Sequence, residues 1–291
     1  MEIRKTTFAG SWYPGTAAAC REEIESFLDQ GSTADSGRRC MGGIVPHAGW
    51  YYSGQVACQV IERLKGDNID GPAPDLIAIF GMHLHPASPC FLLDADQFET
   101  PLGPLSIKRD LVAQLARRFE RVADYRMETA RDFQPDNTIE LQLPFIKYFF
   151  PESAIVTVGL PPTETAVKVG AAVVELAAAA KLSLKVLGST DLTHYGSNYG
   201  FTPRGSGRAA VAWARQDNDR RLIDAIGTMD PMAVIQEARS HHNACCAGAV
   251  AGAMAAAAAL GARQAETTVY ASSYDKSPGD SFVGYAGVVL F

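Results

Sequence analysis

Cysteine and histidine are both scarce in this chain, with six of each among 291 residues. Cysteine at that density cannot staple a domain of this size, so a disulfide framework is excluded. The start, Met1-Glu2-Ile3-Arg4-Lys5, leads into no apolar run of the kind that marks a secretory signal, and a reducing, cytoplasmic setting is expected. Basic residues are also short: 26 Lys and Arg stand against 32 Asp and Glu, a net charge of −6. A general nucleic-acid binder needs a basic stripe, so nucleic acid is not an expected partner. Long runs of Leu, Ile and Phe are missing too. The uncharged stretch from Ala244 to Ala262 is mostly Ala and Gly, which suits a helix packed tightly in the interior better than a membrane span.

What is present is an ordinary globular composition, 47% hydrophobic and 20% charged, with length enough for a large core. Apolar strand-like runs alternate with helical patterns. Strands are expected at Cys40–Pro46, Asp75–Gly81, Cys90–Leu93, Ala154–Leu160, Leu182–Gly188, Thr267–Ala271 and Phe282–Leu290. Helices are expected after Thr16, from Ser53 to Lys65, over Lys108–Phe119 and Thr163–Ala180, and two or three times between Gly207 and Ala262. Thr138–Phe150 reads as helical, limited or kinked at Pro144. The polar segment from Gly31 to Arg39 reads as a loop. Continuous rather than alternating apolar strands imply a mostly parallel central sheet with helices on both faces, and one α/β domain over residues 1–291.

Ligands in such folds bind beyond the carboxyl ends of the strands. Three predicted strands run into His-bearing turns there: Pro46-His47-Ala48-Gly49-Trp50, Gly81-Met82-His83-Leu84-His85-Pro86, and Ser189-Thr190-Asp191-Leu192-Thr193-His194. The remaining two histidines, His241 and His242, precede the adjacent thiols Cys245 and Cys246. Were that segment helical and capped by Asn243, His242 and Cys246 would share a face, with Cys246 in the first turn. Imidazole and thiolate suit iron(II), copper or zinc rather than magnesium or calcium. Each of these residues also has a purely structural reading, as a hydrogen-bonded imidazole or a small packed thiol.

Asp191, three residues before His194, is placed either to orient an imidazole or to cap its own turn. Glu140 is either the capping-box partner of Asn137 or a site residue in an apolar setting. Trp12, Trp50, Tyr52, Tyr195 and Tyr270 fall near the same turns and are candidates to wall a pocket for an organic molecule, or simply to pack.

These residues carry a resemblance. Ala9-Gly10-Ser11-Trp12-Tyr13, Pro46-His47-Ala48-Gly49-Trp50, Glu99-Thr100-Pro101-Leu102-Gly103, Thr138-Ile139-Glu140-Leu141, the Asp191–Gly196 loop, and Tyr270-Ala271-Ser272-Ser273 with Gly284-Tyr285-Ala286 resemble motifs of the Memo family, whose bacterial and archaeal members are AmmeMemoRadiSam system protein B. The resemblance implies a fold like that of LigB-type class III extradiol dioxygenases. It implies iron(II) or copper, with zinc a poorer fit, held by two His and a Cys. By motif these are His47, His83 and Cys246, with His85 left open as the alternative to His83. It implies His194 as a further pocket histidine, taken here as catalytic with Asp191. Asn137 stands where the family often has His, so Asn137, Glu140 and His242 complete the expected pocket. Two functions follow as expectations. One is a metal-dependent oxidoreductase acting on a small organic molecule or peptide. The other is a non-enzymatic metal-binding or scaffold protein that works with AMMECR1-type and radical-SAM partners.

Overall fold

The computed structural model describes residues 1–31, 38–65, 73–120 and 124–291. Most of the loop expected at 31–39 lies outside the described residues. Four parallel strands form the centre of the main sheet, in the spatial order Gly42–Val45, Leu184–Ser189, Leu76–Gly81, Ala154–Gly159. Every residue of Gly42–Val45 and Leu76–Gly81 is buried. Strands covered on both faces have no polar side to alternate with, which is why their sequences read as unbroken apolar runs.

Helices lie on each face, as neighbouring register positions show. A Cβ on Gly43 would meet Val60 of the Trp50–Arg63 helix. Its neighbour Ile44 pairs with Gly188, where a Cβ would meet Ala253 of the Ala247–Ala259 helix. Successive residues of a strand face opposite sides, so the two helices cover opposite faces. The Ala-rich helix is buried along almost its whole length and packs on the Glu164–Ala179 helix. At their crossing a Cβ on Gly170 would lie 2.1 Å from the Gly252 carbonyl oxygen, so the backbones approach as only small residues allow. No described helix is long and apolar enough to cross a membrane.

Antiparallel strands flank the parallel centre. Phe282–Leu290 pairs with Gly42–Val45 on one side and with Ala265–Ser272 on the other, and also takes the two-residue strand His194–Tyr195. At the far side Cys90–Asp94 is antiparallel to Ala154–Gly159, and Tyr125–Thr129 lies parallel outside it. Tyr125–Thr129, and a small second sheet of Ile3–Arg4, Gln97–Phe98 and Leu105–Ser106, extend the expected strand set.

Three local expectations need correction. The helix expected from Ser53 begins at Trp50 after Gly49, because the Ser53 hydroxyl donates back to the Ala48 carbonyl oxygen from within the first turn. Thr138–Phe150 is two helices, Asn137–Glu140 and Leu143–Phe149. Pro144 sits in the first turn of the second, where its missing N–H has no intrahelical partner to lose. The segment 242–246 is not helical. His242 ends the Pro231–His241 helix in the left-handed region at φ 52°, and the next helix starts only after Cys246. Asn243 therefore caps nothing, and its buried side chain donates to the Asn218 carbonyl oxygen at 2.7 Å.

Candidate metal centre

Three adjacent parallel strands, ending at Val45, Gly81 and Ser189, deliver their following residues to one edge of the sheet. Val45 leads to His47, which is 2% exposed and whose backbone N–H donates to Asp191 Oδ1 at 2.7 Å. Gly81 leads through Met82, held at φ 73°, to His83. A non-glycine residue in the left-handed region carries strain, here held by the Met82 N–H donating to Thr138 Oγ1 at 2.7 Å. This turn swings His83 over His47: their Nε2 atoms lie 3.2 Å apart, with the rings edge to face.

The thiols arrive from the turn before the Ala247–Ala259 helix. Cys246 N–H donates to Thr190 Oγ1 at 3.1 Å and Cys245 N–H to the Asp191 carbonyl oxygen at 3.3 Å, tying this turn to the loop after Ser189. Cys245 Sγ then lies 3.2 Å from His47 Nε2 and accepts the Asp191 backbone N–H at 3.3 Å. One ligand atom from each of His47, His83, Cys245 and Cys246 fits within 4.8 Å of every other. By motif the family's cysteine fell on Cys246. The structure brings both thiols into the group, and Cys245 is the one in direct contact with the imidazole.

Electrostatics sharpen the difference between the thiols. Burial pushes Cys245 up, but its hydrogen bond with Cys246, the charge of His47 and hydrogen bonds with His47 and His83 outweigh that and hold it well below the ordinary thiol range. Cys246 goes the other way, raised by burial and by the neighbouring Cys245. Burial lowers His83, yet Asp136 and Cys245 overcome it and lift the imidazole to about 10. The cluster thus pairs a thiolate with imidazolium protons, and those protons stand where a cation would satisfy the same donors.

The chain's own arrangement orients the donors. His47 Nδ1 lies 2.9 Å from Ser189 Oγ, so a proton on Nδ1 leaves the Nε2 lone pair facing the cluster. His83 Nδ1 faces Asp136 Oδ2 at 3.8 Å. Asp191 Oδ2 faces both His47 Nε2 at 4.0 Å and His194 Nε2 at 3.8 Å. His194 Nε2 is buried without a hydrogen-bond partner, and its ring leans on Tyr199.

A cavity of about 630 Å³ opens beside these groups, lined among others by Trp12, His47, Tyr52, His83, Asn137, Asp191 and His194. A second of about 500 Å³ adjoins it through His194 and Tyr199 and reaches Cys245 and His242.

The other expected pocket residues turn away from the larger cavity. Trp50 is core, stacked on Phe145 at 4.1 Å and donating to the Leu141 carbonyl oxygen. Tyr195 is buried against Phe282 and donates to the Gly205 carbonyl oxygen. Tyr270 donates to Asp219 Oδ2 at 2.6 Å. Glu140 is neither cap nor site residue. The cap is Asp136, and the Glu140 carboxylate accepts from Thr7 N, Phe8 N and the Tyr13 hydroxyl, anchoring the N-terminal segment. His85 is turned outward, with Nδ1 accepting the Ala87 N–H. His242 stands edge-on to Phe201 at the smaller cavity. Cys245, Ser189, Asp136 and Tyr199 were not singled out beforehand as site residues. Only Cys245 carried a signal, its adjacency to Cys246.

A model of the Memo-like protein family matches residues 4–289. The chain belongs to the Memo family. It is 34% identical to a MEMO1 family protein of Methanothermobacter thermautotrophicus, over 98% of this chain and 99% of that protein. It is 30% identical to a MEMO1 family protein of Pyrococcus abyssi, over 99% of each. The crystal structure of an uncharacterized Escherichia coli K12 protein superposes with a TM-score of 0.46 at 9% identity, covering 86% of this chain and 99% of that one.

Proposed function

We propose that this Memo-family protein is a metal-dependent oxidoreductase, with iron(II) or copper held by His47, His83 and Cys245, acting on a small organic molecule in the adjoining cavity. The observation that carries the reading is the contact of Cys245 Sγ and His83 Nε2 with one atom, His47 Nε2, at 3.2 Å each. Donors about 2.0–2.3 Å from one ion, at angles between octahedral and tetrahedral, stand roughly 2.9–3.6 Å apart. Both contacts to His47 Nε2 fall in that range, and the third pair, Cys245 and His83, lies within 4.8 Å, close enough for all three to share one ion. Two imidazoles and a thiolate also match iron or copper by softness, and three protein ligands leave positions open.

When bound, such an ion supplies one-electron chemistry and Lewis acidity at the cavity wall. The protein's own groups do the rest. Ser189 and Asp136 hold the two imidazoles by their far nitrogens. His194, whose Nε2 lacks a hydrogen-bond partner beside Asp191 Oδ2, is placed to hold or pass a proton at the cavity, and Asp191 orients it. Asp191 fixes the His47 backbone at the same time, so one carboxylate sets both imidazoles.

Oxygen uptake by iron- or copper-loaded protein, measured with organic substrates against a His47→Ala variant, tests the reading. Uptake that depends on His47 supports it. Metal bound tightly with no uptake above the variant overturns it, and then favours a metal-binding scaffold working with AMMECR1-type or radical-SAM partners.

A further inference from the structure

Two segments meet beside the metal centre: Asp191–His194, which brings a carboxylate and a further imidazole, and 242–246, which brings Cys245. One place on a helix holds both. The helices Arg208–Trp213 and Asp219–Gly227 are joined by the π turn Ala214–Asn218, in which the Asp219 N–H reaches back five residues to the Ala214 carbonyl oxygen. Ala210, Ala214, Asn218, Leu222 and Ile226 are buried along this run, one every four residues. In an α-helix each step of four overshoots a full turn by about 40°, so such a row winds off the packed face. The wider π turn takes up much of that drift and keeps Asn218, with Asp219 beside it, pointing inward. Neither side chain is among the metal donors, and neither lines the two cavities at the centre.

Asn218 and Asp219 are each 1% exposed, and between them they reach both segments. On the first, Asp219 Oδ1 accepts the Thr193 N–H at 2.9 Å and Asn218 Nδ2 donates to Thr193 Oγ1 at 3.0 Å. Thr193 is fully buried and adjoins His194. On the second, the same Asn218 Nδ2 donates to the His241 carbonyl oxygen at 3.1 Å, and the Asn218 carbonyl oxygen accepts from Asn243 Nδ2 at 2.7 Å. Asn243 stands two residues before Cys245. The Phe282–Leu290 strand closes the clamp: the Leu192 N–H donates to the Gly284 carbonyl oxygen and the Gly284 N–H to the Thr193 carbonyl oxygen. Gly284 leaves room for this, since a Cβ there would meet the Asp219 carboxylate. An amide buried in a row otherwise made of Ala, Leu and Ile costs desolvation that an apolar residue would not. In return, a satisfied buried polar network fixes one arrangement of what it joins. We infer that Asn218, carried inward by the π turn, is a positioning residue of the metal centre. With Asp219 it sets the spacing between the Asp191–His194 segment and the Cys245 turn, and so where the thiol stands; this rests on the proposed reading that Cys245 is the donor.

Two measurements on the full-length protein test this, with Asn218→Ala, Thr193→Val and Thr193→Ser. Thr193→Val removes the Oγ1 that Asn218 binds and leaves the helix untouched; Thr193→Ser keeps it. The first measurement needs no metal. Hydrogen exchange read by mass spectrometry is expected to quicken about tenfold in Asn218→Ala over residues 190–195 and 242–247, with the Leu76–Gly81 strand as in wild type. The second is titration with cobalt(II), read by the thiolate-to-cobalt charge-transfer band. Asn218→Ala and Thr193→Val are expected to bind cobalt about tenfold more weakly with a shifted or weakened band, and Thr193→Ser to restore both. Where Asn218→Ala does not fold, Thr193→Val carries the same two readings. Faster exchange confined to residues 208–227 or spread evenly over the chain overturns the inference, as does wild-type cobalt affinity and band in Asn218→Ala. The two readings separate the failures. No cobalt–thiolate band in wild type, with both segments loosened in Asn218→Ala, rejects Cys245 as the donor and leaves the clamp standing. A wild-type band with both segments undisturbed in the variant rejects the clamp alone.

Discussion

Ser189 Oγ lies 2.9 Å from His47 Nδ1, on the side of the ring opposite the nitrogen that contacts Cys245. Ser189 is the last residue of its strand and is fully buried, so its hydroxyl cannot drift and water cannot replace it. Removing it frees the imidazole to adopt the other tautomer or to rotate. Ser189→Ala is expected to weaken metal binding by about 10–100-fold, with the fold intact by circular dichroism. An unchanged dissociation constant in a chelator competition contradicts the role assigned to Ser189.

The two neighbouring thiols are expected to differ sharply in reactivity. Cys245 is held toward the thiolate and lines a cavity, whereas burial pushes Cys20 to about 12 and Cys40 to about 11, and Cys246 is also raised. Iodoacetamide at neutral pH is expected to alkylate Cys245 first in metal-free protein, and bound metal to protect it. Peptide mapping by mass spectrometry reads both outcomes. First labelling at Cys246 contradicts the assignment of the donor thiol.

Asp219 makes the fold sensitive to pH. It follows a π turn at Ala214–Asn218, accepts the Thr193 N–H at 2.9 Å and the Tyr270 hydroxyl at 2.6 Å, and burial raises it from 3.8 to about 6. The folded state therefore binds this proton more tightly than the unfolded chain. The associated stability is complete below about pH 4 and is lost as pH rises through 6. That difference corresponds to about 3 kcal/mol. Asp219→Asn removes the titration, so urea unfolding should show the variant gaining about 2–3 kcal/mol relative to wild type between pH 4 and pH 7. A constant difference between the two across that range contradicts it.

Glycines divide by what surrounds them. Gly170→Ala drives a methyl into the Gly252 carbonyl oxygen at the crossing of two helices, and a loss of about 1–3 kcal/mol is expected. Gly227→Ala, at the end of the Asp219–Gly227 helix with nothing within 4 Å of an added Cβ, should be neutral or gain about 0.4–1 kcal/mol by restricting the unfolded chain. Thermal melting of the two variants checks the contrast.

The central sheet was legible because strands such as Leu76–Gly81 are buried on both faces and so carry no polar positions to confuse the pattern. Tyr125–Thr129 escaped because it is an outer strand with Arg126 exposed, and its one buried residue is a charge, Glu128, satisfied by Arg4 at 3.2 Å. Ile3–Arg4, Gln97–Phe98 and Leu105–Ser106 are two residues each, too short for any periodicity. At the site, the strand-end histidines were legible from topology, since parallel strands point their ends one way. The thiol in contact was not. That depends on His242 turning left-handed and on the helix starting one residue after Cys246, both set by tertiary contacts to Thr190 and Asn218. Glu140 misled for the same reason: its partners, Thr7 and Phe8, are more than 130 residues away in sequence.

Elemental analysis of protein purified anaerobically decides whether His47, His83 and Cys245 hold a metal, with His47→Ala, His83→Ala, Cys245→Ala and Cys246→Ala prepared alongside. About one iron or copper per chain is expected in the wild type. Retention is expected in Cys246→Ala and loss in the other three. Metal retained in His47→Ala or Cys245→Ala, or zinc alone in the wild type, rules out an iron or copper centre on these residues.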